Sequence, residues 1–257
     1  MITDVNVNLS RWPFRRLPYD EPAQLVRKLR NSKVTSAWAG SFDGLLHKDI
    51  AAVNQRLVED CQTYGDGLLL PVGSVNPTLP AWQDDLRRCH EQHGMKVIRL
   101  HPNYHGYTLD DPKFEELLDL SGERKLIVQI ALKMEDERTH HPLMQVKTVD
   151  SSPLADQLKQ RPQLKMILLN SLRTLRGASL VNLANAGDVS FEISMLEGIG
   201  GVEKILKTIP VEKLLFGSHF PFFYLESSLL KMQESELGNF RSKAILFENA
   251  ARILAEQ

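Results

Sequence analysis

Two short stretches near the N-terminus and near residue 100 carry residues able to do chemistry at a regular spacing. Asp4, Asn6 and Asn8 recur at every second position, as do Arg99 and His101. A two-residue period places side chains on one face of a β-strand. Gln129 stands among apolar neighbours, Asn170 closes the run MILL, and Ser190, Glu192 and Ser194 alternate with Val189, Phe191 and Ile193. His219 sits in the stretch GSHFP. An imidazole titrates near neutral pH and can act as general acid or base. A guanidinium can clamp a carboxylate with two parallel hydrogen bonds, and side-chain amides can donate to a developing oxyanion. The expected catalytic set is therefore His219 and His101, with Glu192 or Asp4 orienting His219. The expected substrate-binding set is Arg99 as carboxylate anchor with Asn6, Asn8, Gln129 and Asn170. Trp12, Phe14, Arg15, Arg16, Tyr104 and His105 are expected at the pocket rim. Each residue also has a plainer reading. A lone amide at a strand end bonds a loop backbone, a lone His is structural, and Arg99 pairs with Glu192 or Asp4 across the interior.

These residues fall at the ends of candidate strands. Short β-branched or leucine-rich runs cover 2–8, 34–40, 67–76, 96–101, 125–132, 165–170, 188–195 and 213–219. Amphipathic stretches follow them at 22–31, 48–64, 80–93, 112–124, 153–160, 173–185 and 200–208, then at 226–236 and 240–255. Pro22, Pro80, Pro112 and Pro153 suit the first helical turn, which has no intrahelical bond to lose there. Asp111 and Ser152 read as N-caps. Strand–helix alternation implies a parallel sheet with crossovers, and eight units imply an α/β fold, a single (β/α)8 TIM barrel forming one domain over residues 1–257. An open doubly wound sheet would carry a glycine-rich turn after its first strand. Here that turn is NLSRWPFRR, without glycine. In a barrel the first strand divides into mostly apolar positions, Ile2, Val5 and Val7, and a polar face of Asp4, Asn6 and Asn8. A purely structural barrel fills the strand ends with Val, Ile and Leu, so the joint polar placement points to a pocket.

Composition narrows the function classes. Lys and Arg number 31 against 32 Asp and Glu, a net charge of −1, which gives no bulk electrostatic case for nucleic acid or an anionic membrane. Apolar runs such as 67–72 are far too short to span a bilayer. The N-terminal residues lack the basic start and apolar core of a signal peptide, so a cytoplasmic location is expected. Cys61 and Cys89 form no CxxC and read as structural thiols in a reducing compartment.

Four stretches carry a family resemblance: PVGSVNPTLPAWQDDLRRC (71–89), VIRLHPNYHGYTLDDPKFEELLDL (97–120), LLFGSHFP (214–221) and ENAARIL (248–254). The chain resembles the amidohydrolase superfamily, in its amidohydrolase-2 branch of metal-dependent hydrolases and decarboxylases. The resemblance implies a divalent metal, usually zinc, held by an Asp-x-His-x-His motif on the first strand, His residues ending the fifth and sixth strands, and an Asp in Gly-Thr-Asp-x-Pro on the eighth. The matching positions here read Asp4-Val5-Asn6-Val7-Asn8, Gln129, Asn170 and Gly217-Ser218-His219-Phe220-Pro221. Zinc prefers imidazole, thiolate or carboxylate donors, while amide oxygens suit harder ions. The expectation is therefore that the usual metal cofactor is absent. A displaced site from His101, His105, His140 and His141 is the alternative. Adjacent residues such as His140 and His141 seldom face one ion, so a solvated loop is the simpler reading there.

The amides that replace the ligands still hydrogen-bond, which suggests a rebuilt polar pocket. The expected function is a hydrolase or lyase acting on a small organic acid, amide or ester, with a carboxylate-bearing small-molecule ligand. The alternative is a non-catalytic, metal-free relative that binds a metabolite or a protein partner. Phe220, Phe222, Phe223 and Tyr224 are expected to cover the barrel mouth or make a dimer contact, with core filling favoured for at least half of them. The resemblance also admits a homo-oligomer such as a dimer.

Overall fold

The computed structural model describes residues 1–255. Its strands are β1 (Thr3–Leu9), β2 (Ser36–Ser41), β3 (Leu69–Pro71), β4 (Gly73–Ser74), β5 (Val97–Leu100), β6 (Ile127–Ala131), β7 (Met166–Leu169), β8 (Val189–Glu192) and β9 (Leu214–Leu215). Every strand pairing is parallel. β3 and β4 are halves of one stave, interrupted at Val72, whose N–H still donates to Ala39 O at 2.9 Å. The ring closes between the first and last staves. Val5 N–H donates to Phe216 O at 3.1 Å, Asn8 N–H donates to Phe220 O at 2.9 Å, and Val7 bridges Phe220 in parallel. The result is the expected eight-staved α/β barrel.

Alternation sorts the apolar side chains into two layers. Ile98, Leu100, Val128, Leu168, Phe191 and Phe216 face the helices. Val97, Ile127, Ile167, Leu215, Trp38 and Val72 form the second cluster, which fills the barrel below its polar level. The helices pack by the matching logic. In α1 (Pro22–Asn31) the buried residues are Leu25, Val26 and Leu29, and proline opens the first turn. In α2 (Ile50–Gly65) the buried stripe is Ile50, Val53, Leu57 and Cys61, the i, i+3/i+4 spacing of one helical face.

Some predicted helix starts are corrected. α3 (Trp82–Glu91) begins beyond Pro80, because Ala81 holds a left-handed φ of 56° at the cap. α4 (Pro102–His105) is a single turn directly after β5. α5 (Pro112–Glu123) starts as expected, with Asp111 accepting from Lys113 N–H at 2.8 Å. α6 (Leu154–Gln160) has Pro153 at its cap, while Ser152 is turned away to Asp150. α7 (Gly177–Ala186) starts after residues 173–176, and α8 is short (Gly201–Ile205). α9 (Leu225–Gln233) packs beside the last stave. The single helix expected over 240–255 divides into α10 (Gly238–Lys243), a wide turn at Ala244–Glu248 and α11 (Asn249–Ala255). Two bonds tie this segment to the barrel. Ile245 O receives Phe216 N–H at 2.9 Å, and Asn249 Nδ2 donates to Leu214 O at 2.8 Å. An outside donor competing for a helical carbonyl is a recognised cause of local helix distortion. Cys61 and Cys89 are free and buried.

No helix among the described residues is long and apolar enough to cross a membrane.

Candidate active site

The register sets Gln129 directly beside Arg99 and Arg99 beside Ser74. Arg99 is 1% exposed and lies inside the barrel. Its Nε donates to Gln129 Oε1 at 2.8 Å. Nη1 donates to Asn8 Oδ1 at 2.7 Å and Val7 O at 3.0 Å, and Nη2 to Val5 O and Trp38 O, each at 3.3 Å. A guanidinium has five N–H donors, so all five are engaged within the protein. Gln129 Nε2 donates to Val5 O at 2.9 Å, and β1 carries a bulge between Asp4 and Val7. Burial lowers the Arg99 guanidinium to about 10, against the pull of Asp4 and Glu192. Neither carboxylate forms an ion pair with it, which corrects the reading of Arg99 as their salt-bridge partner.

The remaining lumen residues form a lattice of their own. Asp4 accepts from Ser218 N–H at 3.0 Å, from Asn6 N–H at 3.1 Å and from the Ser218 hydroxyl. Burial is the main influence on the Asp4 carboxyl and pushes it up to about 7, against those bonds. Glu192 accepts from Asn170 N–H at 2.5 Å and Ser194 N–H at 2.6 Å. Asn6 Nδ2 donates to Asn170 Oδ1 at 2.9 Å, and Asn170 Nδ2 donates to Lys133 O at 2.6 Å. The Ser194 hydroxyl lies 2.8 Å from both Asn170 Oδ1 and Glu192 Oε1. Glu192 and Asp4 thus serve the lattice and do not orient His219.

The imidazoles are placed differently. His219 stands at the tip of the last stave with φ 58°. Its Nε2–H donates to Met134 O at 2.8 Å, so a backbone carbonyl fixes the ring. His219 Nδ1, both ring nitrogens of His101, His105 Nδ1 and Asn8 Nδ2 are buried without a protein partner. His105 Nε2–H donates to Gly44 O at 2.9 Å. Burial lowers His219 to about 3 and His105 to about 4. Burial also holds His101 well below the usual imidazole range, and the neighbouring His105, Arg99 and His219 disfavour a further positive charge there. At neutral pH all three rings are uncharged. A buried polar atom without a partner costs about 1–3 kcal/mol, so this group is where a ligand's hydrogen bonds would be most favourable.

Aromatic side chains roof this level. Trp12 is buried and meets Phe222 edge-on at 4.9 Å, Phe42 at 5.4 Å, Phe14 at 5.5 Å and Tyr104 at 6.2 Å. His219 stacks on Phe222 at 5.0 Å. Arg15 lies 4.7 Å over the Phe222 ring and pairs with buried Glu135 at 2.8 Å. Arg16 turns away to Asp20, so it takes no part in the rim. Phe220 and Phe222 are buried as core filling, whereas Tyr224 is 70% exposed. His141 is exposed and stacks on Phe14, and the histidine pair forms no displaced metal site among the described residues. Ser218, Ser194 and Glu135 join the expected residues in the site. Ser218 and Ser194 stand inside GSHFP and the Ser190/Glu192/Ser194 alternation. The Met134 carbonyl had no sequence signal, since any residue supplies one.

The sequence model of the amidohydrolase family matches residues 12–170, more than half of the chain. The chain belongs to the amidohydrolase family. No curated protein matches it. Among solved structures, this amidohydrolase chain is similar to a dihydroxybenzoic acid decarboxylase from Polaromonas, with a TM-score of 0.73, 12% identity, and 99% and 96% of the two chains covered. It is also similar to 4-oxalomesaconate hydratase from Rhodopseudomonas palustris (TM-score 0.72, 16% identity, 99% and 96% covered). A third similar structure is 2,6-dihydroxybenzoate decarboxylase from Rhizobium (TM-score 0.70, 13% identity, 98% and 99% covered). At these identities the likeness is one of fold, and it bears out the TIM barrel.

The Polaromonas structure holds manganese and the inhibitor 2-nitroresorcinol. That finding overturns the expectation of an absent metal cofactor. The expectation rested on zinc's preference for imidazole and thiolate, whereas manganese is a harder ion that takes oxygen donors. Replacing histidines by amides is therefore no ground for excluding an ion. The side chains as arranged form no ready cage: among the described residues no three His, Cys, Asp or Glu groups converge to hold a metal. Asp4 and Glu192 are committed to Ser218, Ser194 and Asn170.

Proposed function

We propose that this amidohydrolase-family chain is an enzyme of the hydrolase or lyase type. Its substrate is a small, carboxylate-bearing aromatic acid, taken at the C-terminal mouth of the barrel. One observation carries the reading: His101 and His219 are fully buried at strand tips with ring nitrogens unpartnered. The aromatic roof of Trp12, Phe42, Tyr104 and Phe222 suits a planar substrate. The named activities of the similar structures, decarboxylation of dihydroxybenzoates and hydration of 4-oxalomesaconate, support the small-acid class.

His219 is the acid/base group in this reading. Its Nε2–H is held on Met134 O, so Nδ1 carries an unpartnered lone pair. Burial makes the ring a weak base in the free protein. An anionic substrate beside it would favour the imidazolium and raise its proton affinity. The ring would then hold a proton at Nδ1 to deliver to a carbanion or leaving group. His101 is the second acid/base candidate, and Asn8 Nδ2 is a donor to substrate oxygen. Arg99 and Gln129 shape the floor from below. Asn6, Asn170, Asp4 and Glu192 hold the staves that present the histidines. Tyr104 and His105, both on α4, form one wall.

The test is turnover of small aromatic acids by wild type and His219→Asn, a residue that tolerates the positive φ. Loss of one acid/base group lowers kcat by about 10²–10⁴, with an unchanged circular dichroism spectrum. Equal kcat in the two proteins removes His219 from the mechanism. A second reading, a non-catalytic binder, is favoured by the engagement of every Arg99 donor within the protein. Thermal stabilisation by an aromatic acid that is never turned over would select it.

A further inference from the structure

A cleft of about 520 Å³ opens beside the roofed histidines, between the residues after β7, the residues after β8 and helix α9. Two cations reach it. Lys231 on α9 donates from Nζ to Ile193 O at 3.1 Å and to Ser194 O, which leaves one ammonium N–H of three uncommitted. Arg173 is half-buried and pairs with Asp136 at 2.7 Å and Glu197 at 3.2 Å. Met195, Ile199 and Phe223 supply the apolar surface, and Ile199 is 83% exposed. Two acids also line the cleft. Glu197 is neutralised by Arg173 and Arg176, the latter at 3.5 Å, and Glu234 is exposed.

The cleft touches the candidate active site at two points. Ser194, in its wall, carries the hydroxyl that joins Asn170 and Glu192 in the lumen. Phe223, in its other wall, meets the His219 ring edge-on at 5.2 Å. One aromatic ring is therefore in contact with the cleft on one side and with the buried imidazole on the other. The volume lies within the range of small-molecule sites.

We propose that this cleft is the carboxylate subsite of the enzyme: Lys231 holds the acid group through its uncommitted N–H, the ring lies on Met195, Ile199 and Phe223, and displacement of Phe223 gives it access to His219. The proposal rests on the aromatic-acid reading and supplies the anchor that Arg99 cannot, because Arg99 has no uncommitted donor. Lys231 is a specificity-determining residue here.

The experiment is a titration of the full chain with benzoate, and with uncharged benzamide, followed by backbone amide NMR. Benzoate is expected to shift Ser194, Phe223 and Lys231. Lys231→Met is expected to weaken benzoate at least tenfold while leaving benzamide unchanged. Lys231 also tethers two carbonyls, so Ile199→Glu serves as a second variant. It places an acid on an exposed wall without touching a buried contact, and it is expected to weaken benzoate several-fold. Unchanged affinity in both variants, shifts confined to Asn8, His101 and His219, or no shifts at all would overturn the subsite. Benzoate in the cleft with no turnover of any acid would overturn the enzyme reading and leave the subsite standing. Turnover with binding that bypasses the cleft would do the reverse.

Discussion

The lumen of this barrel holds two polar levels that obey opposite rules. All five N–H groups of Arg99 are matched, by five acceptors drawn from β1, β2 and β6. One level up, His101 has two unmatched nitrogens, and His219, His105 and Asn8 have one unmatched nitrogen each. Both levels are equally buried, so burial does not separate structure from function here. Satisfaction does. A matched buried network fixes a fold. An unmatched one lowers stability and is retained in a native structure where something outside the chain completes it.

The strongest way to break this contrast is to remove Arg99. Arg99→Leu would take the Arg99 donor from Val7 O, Trp38 O, Asn8 Oδ1 and Gln129 Oε1, while Val5 O would keep only Gln129 Nε2–H. Losing one partner of a buried charged network costs about 3–5 kcal/mol. Denaturant unfolding should show a loss of at least that size, enough to prevent folding of a marginal domain. Arg99→Lys should recover only part of it, since an ammonium cannot reproduce a planar five-donor fork. A well-folded Arg99→Leu protein would show that the guanidinium is not what joins these staves.

The two levels were unequally legible in the sequence. Strand alternation places Asp4, Asn6, Asn8, Arg99, Gln129 and Glu192 in the lumen, because period and burial follow from the backbone, and Asn170 is legible only as a strand end. It could not reveal partners. Arg99 was expected to anchor a substrate carboxylate, yet it spends its donors on three backbone carbonyls that carry no sequence signature. Asp4 and Glu192 were expected to orient His219, yet Met134 O does so from a loop. Trp12 was placed on a rim and is buried, since a loop's path depends on the packing above it. The metal expectation failed for a related reason. It judged ligands by one ion's preferences, and the donor count of a strand end does not specify the ion.

The second comparison is in pH. Asp4 has its folded pKa raised to about 7, well above an unfolded value near 3.9. Its protonated form is favoured in the fold. Its contribution is fully present below about pH 4 and is lost as pH rises towards and through 7. His219 has its folded pKa lowered to about 3, below an unfolded value near 6.5. Its contribution is present above about pH 6.5 and is lost as pH falls towards 3. Each limb is worth a few kcal/mol at about 1.4 kcal/mol per pKa unit. Unfolding midpoints measured from pH 4 to 8 should therefore flatten on opposite sides in the two variants. Asp4→Asn should remove part of the fall towards alkaline pH, keeping acceptance from Ser218 and Asn6 N–H. His219→Asn should remove part of the fall towards acid pH. If both variants track wild type across the range, the two levels do not differ in their protonation.

The smallest expected effect lies in the roof. Arg15 is 42% exposed by its side chain, pairs with Glu135 and covers the Phe222 ring that stacks on His219. The Arg15 end of the pair is open to water, which keeps its stabilisation to about 1 kcal/mol, so Arg15→Ala should move the unfolding midpoint only slightly. Its effect should appear in access. Phe222 would lose the cation above it, and Glu135, itself buried, would lose its charged partner and draw in water. Both changes loosen the ring that seals His219. Acylation of histidine by diethylpyrocarbonate, read residue by residue by mass spectrometry, should then speed up several-fold at His219. It should stay unchanged at His105, at the end of α4, whose Nε2–H remains on Gly44 O. Equal rates at His219 in the two proteins would mean that the roof opens without Arg15, and that the unmatched nitrogens are reached through Phe223 alone.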